Sequence, residues 1–142
     1  MDVAQRFARL FNARDLDALV ALFTETATYL DGFYGRYAGH AGLREMFARM
    51  FREGRDYAWT MERALESGRL AMAEWSFRYV VTDAIPRSAG RPVHFRGMSV
   101  FELAPDGRIA AYREYFDSGP PLLQLGFAPE ALATVLRRKL DR

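Results

Sequence analysis

The sequence GMSVFEL (97–103), the turn PDG (105–107) and the sequence RIAAYREYFD (108–117) indicate the architecture most clearly. Both flanking segments are rich in β-branched and aromatic residues, which favour strands. Pro, Asp and Gly between them are typical of a tight turn. The sequence therefore predicts two long strands that form a hairpin near the end of the chain.

The second strand of this hairpin carries a carboxylate between aromatic residues. Successive side chains of a strand point to opposite faces of the sheet. Tyr112, Glu114 and Phe116 should therefore share one face, with Arg113 and Tyr115 on the other. A charge costs several kcal/mol to bury without a partner. Glu114 is therefore a candidate for chemistry in an apolar pocket.

Helical patterns dominate the first third of the chain. Apolar residues recur at one-face helical spacing in each of three segments, and Pro129 suits the first turn of a final helix. Asp15 can cap the second of these helices. The apolar stripes consist of Val3, Phe7, Leu10 and Phe11, of Leu16, Leu19, Val20 and Phe23, and of Leu43, Met46, Phe47, Met50 and Phe51.

The strands predicted after the third helix complete a mixed pattern. Residues 27–31 read as a short strand, and residues 57–65 and 70–82 alternate with period two. Helices followed by a meander of strands predict an α+β fold and not alternating βαβ units. We expect one domain over residues 1–142: a cone-shaped, strongly bent antiparallel sheet wrapped over three N-terminal helices, plus a C-terminal helix, enclosing a one-ended pocket.

Composition excludes several classes of function. There is no cysteine, and His40 and His94 are too far apart for a recognisable metal motif, so we expect no metal and no cofactor. The net charge is +2, and the basic run at residues 137–139 suits a helix C-terminus. We therefore expect no nucleic-acid partner. No apolar run reaches a membrane span, and no signal peptide is recognisable, so a soluble cytoplasmic protein is expected.

The order of elements resembles the nuclear transport factor 2-like (NTF2-like) superfamily, which includes ketosteroid isomerase, SnoaL-type polyketide cyclases and limonene epoxide hydrolase. The resemblance covers nearly the whole chain. It is specific for fold and weak for reaction, because this fold hosts many chemistries. It is carried by RDLDAL (14–19), LF (22–23), ATYLD (27–31), residues 39–47 and residues 97–117.

The comparison with ketosteroid isomerase implies a role for Asp31 and argues against that reaction. Asp31 falls where the isomerase keeps its proton-shuttling aspartate. The isomerase also needs a tyrosine and a protonated aspartate as oxyanion donors, and the matching positions are Phe7 and Ser99. Phenylalanine cannot donate a hydrogen bond, so we do not expect a steroid isomerase.

The comparison with the epoxide hydrolase involves the same two strands. Its last-strand WRDYFD motif matches YREYFD at 112–117, and its water-holding tyrosine and asparagine are spaced like Tyr29 and Asp31. Its central arginine and aspartate fall near Met72 and Glu74, so the arginine is absent. Glu74 lies opposite the aromatic positions of its strand and is expected to point outward.

The candidate catalytic residues are therefore Asp31, Glu114 and Tyr29. The candidate substrate-binding residues are Phe7, Phe33, Tyr112, Phe116, Ser99 and Phe101.

Three hypotheses for the function remain open, and the sequence leaves open whether the chain is an enzyme. The first is SnoaL-type acid/base chemistry on a small hydrophobic cyclic molecule, with Asp31 and Glu114 as base and acid in either order. The second is epoxide opening, with Glu114 as the base and Tyr29 and Asp31 holding the water. The third is a non-catalytic ligand-binding or dimerisation module. Abundant aromatics on strands 57–65 and 70–82 predict a homodimer through the outer face of the sheet.

Overall fold

A computed structural model describes residues 1–141. Asp2 and Asp15 cap the first two helices, each accepting a backbone N–H with its side chain. The helices are α1 (Val3–Asn12), α2 (Leu16–Ala21), α3 (Gly39–Glu53), α4 (Gly119–Gln124) and α5 (Pro129–Arg138). A 3₁₀ turn, Lys139–Asp141, follows α5 directly.

Six strands form one curled sheet in the order β2-β1-β6-β5-β4-β3. They are β1 (Phe23–Asp31), β2 (Gly35–Ala38), β3 (Gly54–Ser67), β4 (Leu70–Val81), β5 (Pro92–Leu103) and β6 (Ile109–Tyr115). The predicted α+β cone is confirmed. One detail differs, because β1 and β6 pair in parallel while the other neighbours are antiparallel.

The first strands differ most from the sequence prediction. Phe23 was expected on the stripe of the second helix, but it begins β1 and pairs with Ile109 of β6. Residues 35–38, for which no strand was predicted, form β2 and pair back onto β1. The helix α4 was also not predicted. In a short hydrophobic run, periodicity alone cannot distinguish the start of a strand from the end of a helix.

The inner face of the sheet holds the large aromatics of β3 and β4. Trp59, Trp75 and Phe77 are all buried beneath the helices or along the interior of the cone. These aromatics, from which the sequence predicted a dimer interface on the outer face, therefore lie inside the cone. The outer face instead exposes other apolar side chains, with Met98 47% and Tyr115 60% accessible.

The C-terminal elements lie over the open end of the cone. Leu122 and Leu125 from the α4 region and Val135 from α5 line the same interior space as the aromatics of the sheet. A reciprocal pair of hydrogen bonds between Gln124 and the backbone of His94 ties α4 to β5. Within residues 1–141, no helix is both long enough and apolar enough to cross a membrane.

Candidate functional site

A cavity of about 350 Å³ lies between the inner face of the sheet, α3 and the C-terminal segment. This volume suits a small organic ligand. Its wall is mainly aromatic, and its polar side chains are few. The aromatic wall residues are Phe33, Tyr34, Tyr57, Trp59, Trp75, Phe77, Tyr79, Phe95 and Phe127, and the ionisable ones other than tyrosine are Asp31, Arg49, Glu114, Arg138 and Lys139.

Asp31 ends β1 at the wall of this cavity and is only 3% exposed. Its Oδ1 accepts hydrogen bonds from the backbone N–H groups of Phe33 at 2.7 Å and Tyr34 at 2.8 Å. An aspartate that begins a turn commonly accepts such local bonds. The turn between β1 and β2 thus fixes the orientation of the carboxylate and satisfies one of its oxygens.

Glu114 projects from β6, the strand that pairs in parallel with β1. Tyr29 lies opposite Tyr112 in this register, so the residues two positions further along each strand come together on the inner face. Glu114 Oε1 accepts a hydrogen bond from the N–H of Gly32 at 3.0 Å. The parallel pairing therefore brings Asp31 close to Glu114. Gly32, which follows Asp31, and Glu114 are 82 positions apart in the sequence.

Asp31 and Glu114 are neighbouring carboxyl groups inside the protein, and two negative charges so close repel each other. The pair therefore favours the form that keeps one proton. Burial and the neighbouring Asp31 charge raise the pKa of Glu114 well above its usual value. Burial also raises the pKa of Asp31, but the two backbone N–H groups, Glu114 and the positive charge of Lys139 oppose that rise. The surroundings therefore favour the proton on Glu114 and the negative charge on Asp31.

A chain of hydrogen bonds supports Glu114 from the core. The indole Nε1 of Trp75 donates to Ser99 Oγ at 2.8 Å, and Ser99 Oγ lies 2.6 Å from the Tyr112 hydroxyl. Tyr112 donates to Glu114 Oε2 at 2.8 Å. The Tyr112 hydroxyl proton is directed at Glu114, so Ser99 is the donor in its hydrogen bond with Tyr112. The chain thus aims a donor at Glu114 and holds its side chain in place.

Tyr29, the third candidate catalytic residue, is fully buried, with its ring stacked 4.1 Å from that of Tyr112. Burial, followed by the charges of Glu114 and Asp31, raises the pKa of Tyr29 well above its usual value. Tyr29 is not among the residues that line the cavity. It lies close to the acid pair without reaching the space a ligand would occupy.

The candidate substrate-binding residues separate into two groups. Phe33 lines the cavity, and Phe116 packs against it with ring centroids 5.1 Å apart. The other four, Phe7, Ser99, Phe101 and Tyr112, are buried behind the cavity wall. These four do not line the cavity, because helix α1 and the sheet pack closely there, and their contact with a substrate stays a prediction.

The part of the cavity wall formed by β3, β4 and the C-terminal segment was not predicted from the sequence. Period-two alternation placed Trp59, Trp75 and Phe77 on one face, and that signal could have identified them as pocket residues. No pattern pointed to Lys139, which was read as a helix-end charge. Glu74 points outward as expected and accepts a hydrogen bond from Arg63 Nε at 2.8 Å.

Histidine, aspartate and glutamate side chains in residues 1–141 form no group of three or more that could hold a metal ion.

The chain belongs to the family of SnoaL-like domains, whose model matches residues 4–112. No functionally curated protein matches the sequence significantly. Among solved structures, the chain is similar to a proposed polyketide cyclase from Xanthomonas campestris pv. campestris, with 21% identity, a TM-score of 0.77 and coverage of 87% of this chain and 93% of the other.

Two further structures resemble the chain over most of its length. SalBIII, described as an epoxide hydrolase/cyclase-like enzyme of pyran ring formation in the polyether salinomycin, has 25% identity, a TM-score of 0.70 and coverage of 83% and 89%. An LEH-like epoxide hydrolase from M. tuberculosis has 20% identity, a TM-score of 0.70 and coverage of 95% and 92%. These likenesses agree with the NTF2-like cone.

Proposed function

We propose that this chain is an enzyme that moves a proton on a small hydrophobic cyclic substrate, with Asp31 as general base and Glu114 as general acid. One observation carries the proposal: two neighbouring carboxyl groups, Asp31 and Glu114, lie at the wall of an aromatic cavity, and burial raises the pKa of both. Titratable groups whose environments separate their protonation states are typical of acid/base sites.

The protonation states assign a role to each carboxyl group. Asp31, held ionised by two backbone N–H groups, takes a proton from a carbon next to a substrate carbonyl. Glu114 gives its proton to the carbonyl oxygen, which leaves an enol and an ionised Glu114. Where the enol is conjugated with a second double bond, Asp31 returns its proton to the far carbon of that dienol while the enol O–H proton returns to Glu114, which yields the isomer and restores the pair. The Tyr112 and Gly32 donors stabilise Glu114 while it is ionised.

The surroundings favour this catalytic hypothesis over a structural ion pair. The seven ion pairs found in residues 1–141 join other residues, and none pairs an arginine with Asp31 or Glu114. The carboxyl groups instead accept hydrogen bonds from backbone N–H groups and, for Glu114, from the Tyr112 phenol. A carboxyl pair kept only for stability would gain little from this arrangement, because an apolar pair of similar volume is often as stable.

Epoxide opening is the second candidate, and the likeness to SalBIII and to the LEH-like hydrolase favours it. Here Glu114 would protonate the epoxide oxygen, and Asp31 would take a proton from the attacking water or hydroxyl. The roles differ from those expected for the epoxide hydrolase comparison, in which Glu114 is the base. Tyr29 does not line the cavity, and Glu74 lies on the outer face, so neither would hold the water.

The test follows deuterium from solvent into a panel of cyclic ketones by NMR, with and without the purified protein. Asp31→Asn and Glu114→Gln should each lower the exchange rate about a hundredfold or more, the usual contribution of a positioned acid or base. Asp17→Asn and Glu102→Gln are matched controls, since both side chains are exposed on other faces of the molecule. Full activity in both site variants would overturn the proposal.

We also propose that the chain forms a homodimer through the outer face of β4, β5 and β6. Met72, Met98 and Tyr115 are exposed there on neighbouring strands. Contiguous exposed apolar side chains on a sheet are typical of protein interfaces. This replaces the earlier reason for expecting a dimer, since the aromatics of β3 and β4 lie inside the cone.

A further inference from the structure

The acid pair has a cationic neighbour from the far end of the chain. Lys139, the first residue of the C-terminal 3₁₀ turn, lines the same cavity as Asp31 and Glu114. Its Nζ donates to the carbonyl of Gly32 at 2.7 Å and also to Ser118 Oγ. The ammonium lies 5.9 Å from the ring centroid of Phe33 and 5.7 Å from that of Phe116.

Gly32 connects this lysine to the carboxyl pair. Its N–H donates to Glu114 while its carbonyl accepts from Lys139, so one residue is held from both sides. A Cβ at this position would lie 2.2 Å from the Phe116 ring, closer than real Cβ contacts allow. The backbone at Gly32 is therefore fixed by two hydrogen bonds and by the packing of an aromatic ring.

We infer that Lys139 is a positioning residue for the proposed acid/base reaction: its ammonium holds the Gly32 backbone against Glu114 and supplies the positive charge that keeps Asp31 ionised. This inference rests on the proposed function for its catalytic meaning. The electrostatic effect of Lys139 on Asp31 can be measured in the protein alone, without a substrate.

Lys139 acts on Asp31 through space, because a positive charge near a carboxylate favours the ionised form. The pKa of Asp31 is raised by burial, and Lys139 is among the groups that lower it. The other titratable or charged side chains near Asp31 or on the cavity wall are Glu114 and Tyr112 on β6, Tyr29 on β1, Tyr34 after β1, Arg49 and Glu53 on α3, Tyr57 on β3, Tyr79 on β4 and Arg138 on α5.

The inferred role of Lys139 and a purely structural role predict opposite shifts in the pKa of Asp31 when the lysine is removed. If Lys139 only anchors the C-terminal segment, its loss admits water to the cavity, relieves the burial of Asp31 and lowers the pKa of that carboxyl. If the ammonium charge keeps Asp31 ionised, its loss raises the same pKa. The direction of one titration therefore distinguishes the two.

The experiment titrates the side-chain carboxyl of Asp31 by ¹³C NMR in the full-length protein, with Asp31→Asn used to assign the signal. Lys139→Met should shift the titration of Asp31 to higher pH, and Lys139→Arg should leave it near the wild-type position. Arg137→Met, which removes a charge from an exposed position of α5, should shift it less than Lys139→Met. Lys139→Gln gives the same comparison if the methionine variant does not fold.

A titration of Asp31 that is unchanged or moves to lower pH in Lys139→Met would overturn the inference. Once a substrate is found, the acidic limb of the rate-versus-pH profile should move to higher pH in the same variant. Failure of the proposed function is recognised separately, by unchanged deuterium exchange in Asp31→Asn and Glu114→Gln. The Asp31 titration can shift, or fail to shift, whether or not the proposed function is correct.

Discussion

Replacing Glu114 by glutamine should stabilise the protein at neutral pH and leave it nearly unchanged at low pH. In the folded state the pKa of Glu114 is raised well above its usual value, first by burial and then by the Asp31 charge. In the unfolded chain a glutamate titrates near about pH 4.3. Between these two values the folded protein holds a proton that the unfolded chain has released.

The sign of the pH dependence follows from that difference. Because the folded protein binds one proton more than the unfolded chain in this pH range, the free energy of unfolding falls as the pH rises. The slope for one proton is at most about 1.4 kcal/mol per pH unit. The stabilisation from protonated Glu114 is therefore complete below the unfolded pKa and is lost as the pH rises toward the folded pKa. The Glu114→Gln variant has no such loss, and its amide N–H₂ can still donate to Asp31.

The assay is urea-induced unfolding of wild type and Glu114→Gln at several pH values between 4 and 8. The free energies of unfolding of wild type and Glu114→Gln should be similar at pH 4. As the pH rises, the variant should become increasingly more stable than the wild type. Glu102→Gln is the control, because that side chain is half exposed and pairs with Arg113 on the outer face, where ion pairs contribute about 0–1 kcal/mol. Parallel pH profiles for wild type and Glu114→Gln would refute the protonation assignment.

Two other properties can be measured directly. Ser99→Ala should destabilise the fold by about 1–3 kcal/mol, because the Trp75 indole and the Tyr112 hydroxyl lose a buried partner; Ser76→Ala, whose hydroxyl bonds Glu62 in an exposed position, should cost much less in the same denaturation experiment. Light scattering should give a dimer mass for the wild type at micromolar concentration and a monomer mass for Met98→Lys, whereas a monomeric wild type would contradict the interface.

The β-strand pattern near the end of the chain predicted the fold well because side-chain alternation survives in the structure. Tyr112 is buried while Tyr115 is exposed, as expected for opposite faces of one strand. The same alternation correctly placed Glu74 on the outside. Periodicity reports which residues share a face, and that information is local to each strand.

What lies beyond one element was harder to predict. Phe7 and Phe101 were expected to contact substrate, yet both are fully buried in the core. Sequence patterns identify an inward face but not where packing leaves space along it. Lys139 was read as a charge at a helix end, since nothing near it in the sequence reveals that it reaches Gly32.

The parallel pairing of β1 with β6 also sets the order in which this protein can become functional during folding. Asp31 belongs to the first quarter of the sequence, whereas Glu114 and Lys139 enter only with the last third. Contacts between distant parts of a chain form late because closing the intervening loop costs conformational entropy. A chain still lacking β6 has Asp31 without Glu114 beside it. Assembly of the acid pair thus reports that β6 has paired with β1.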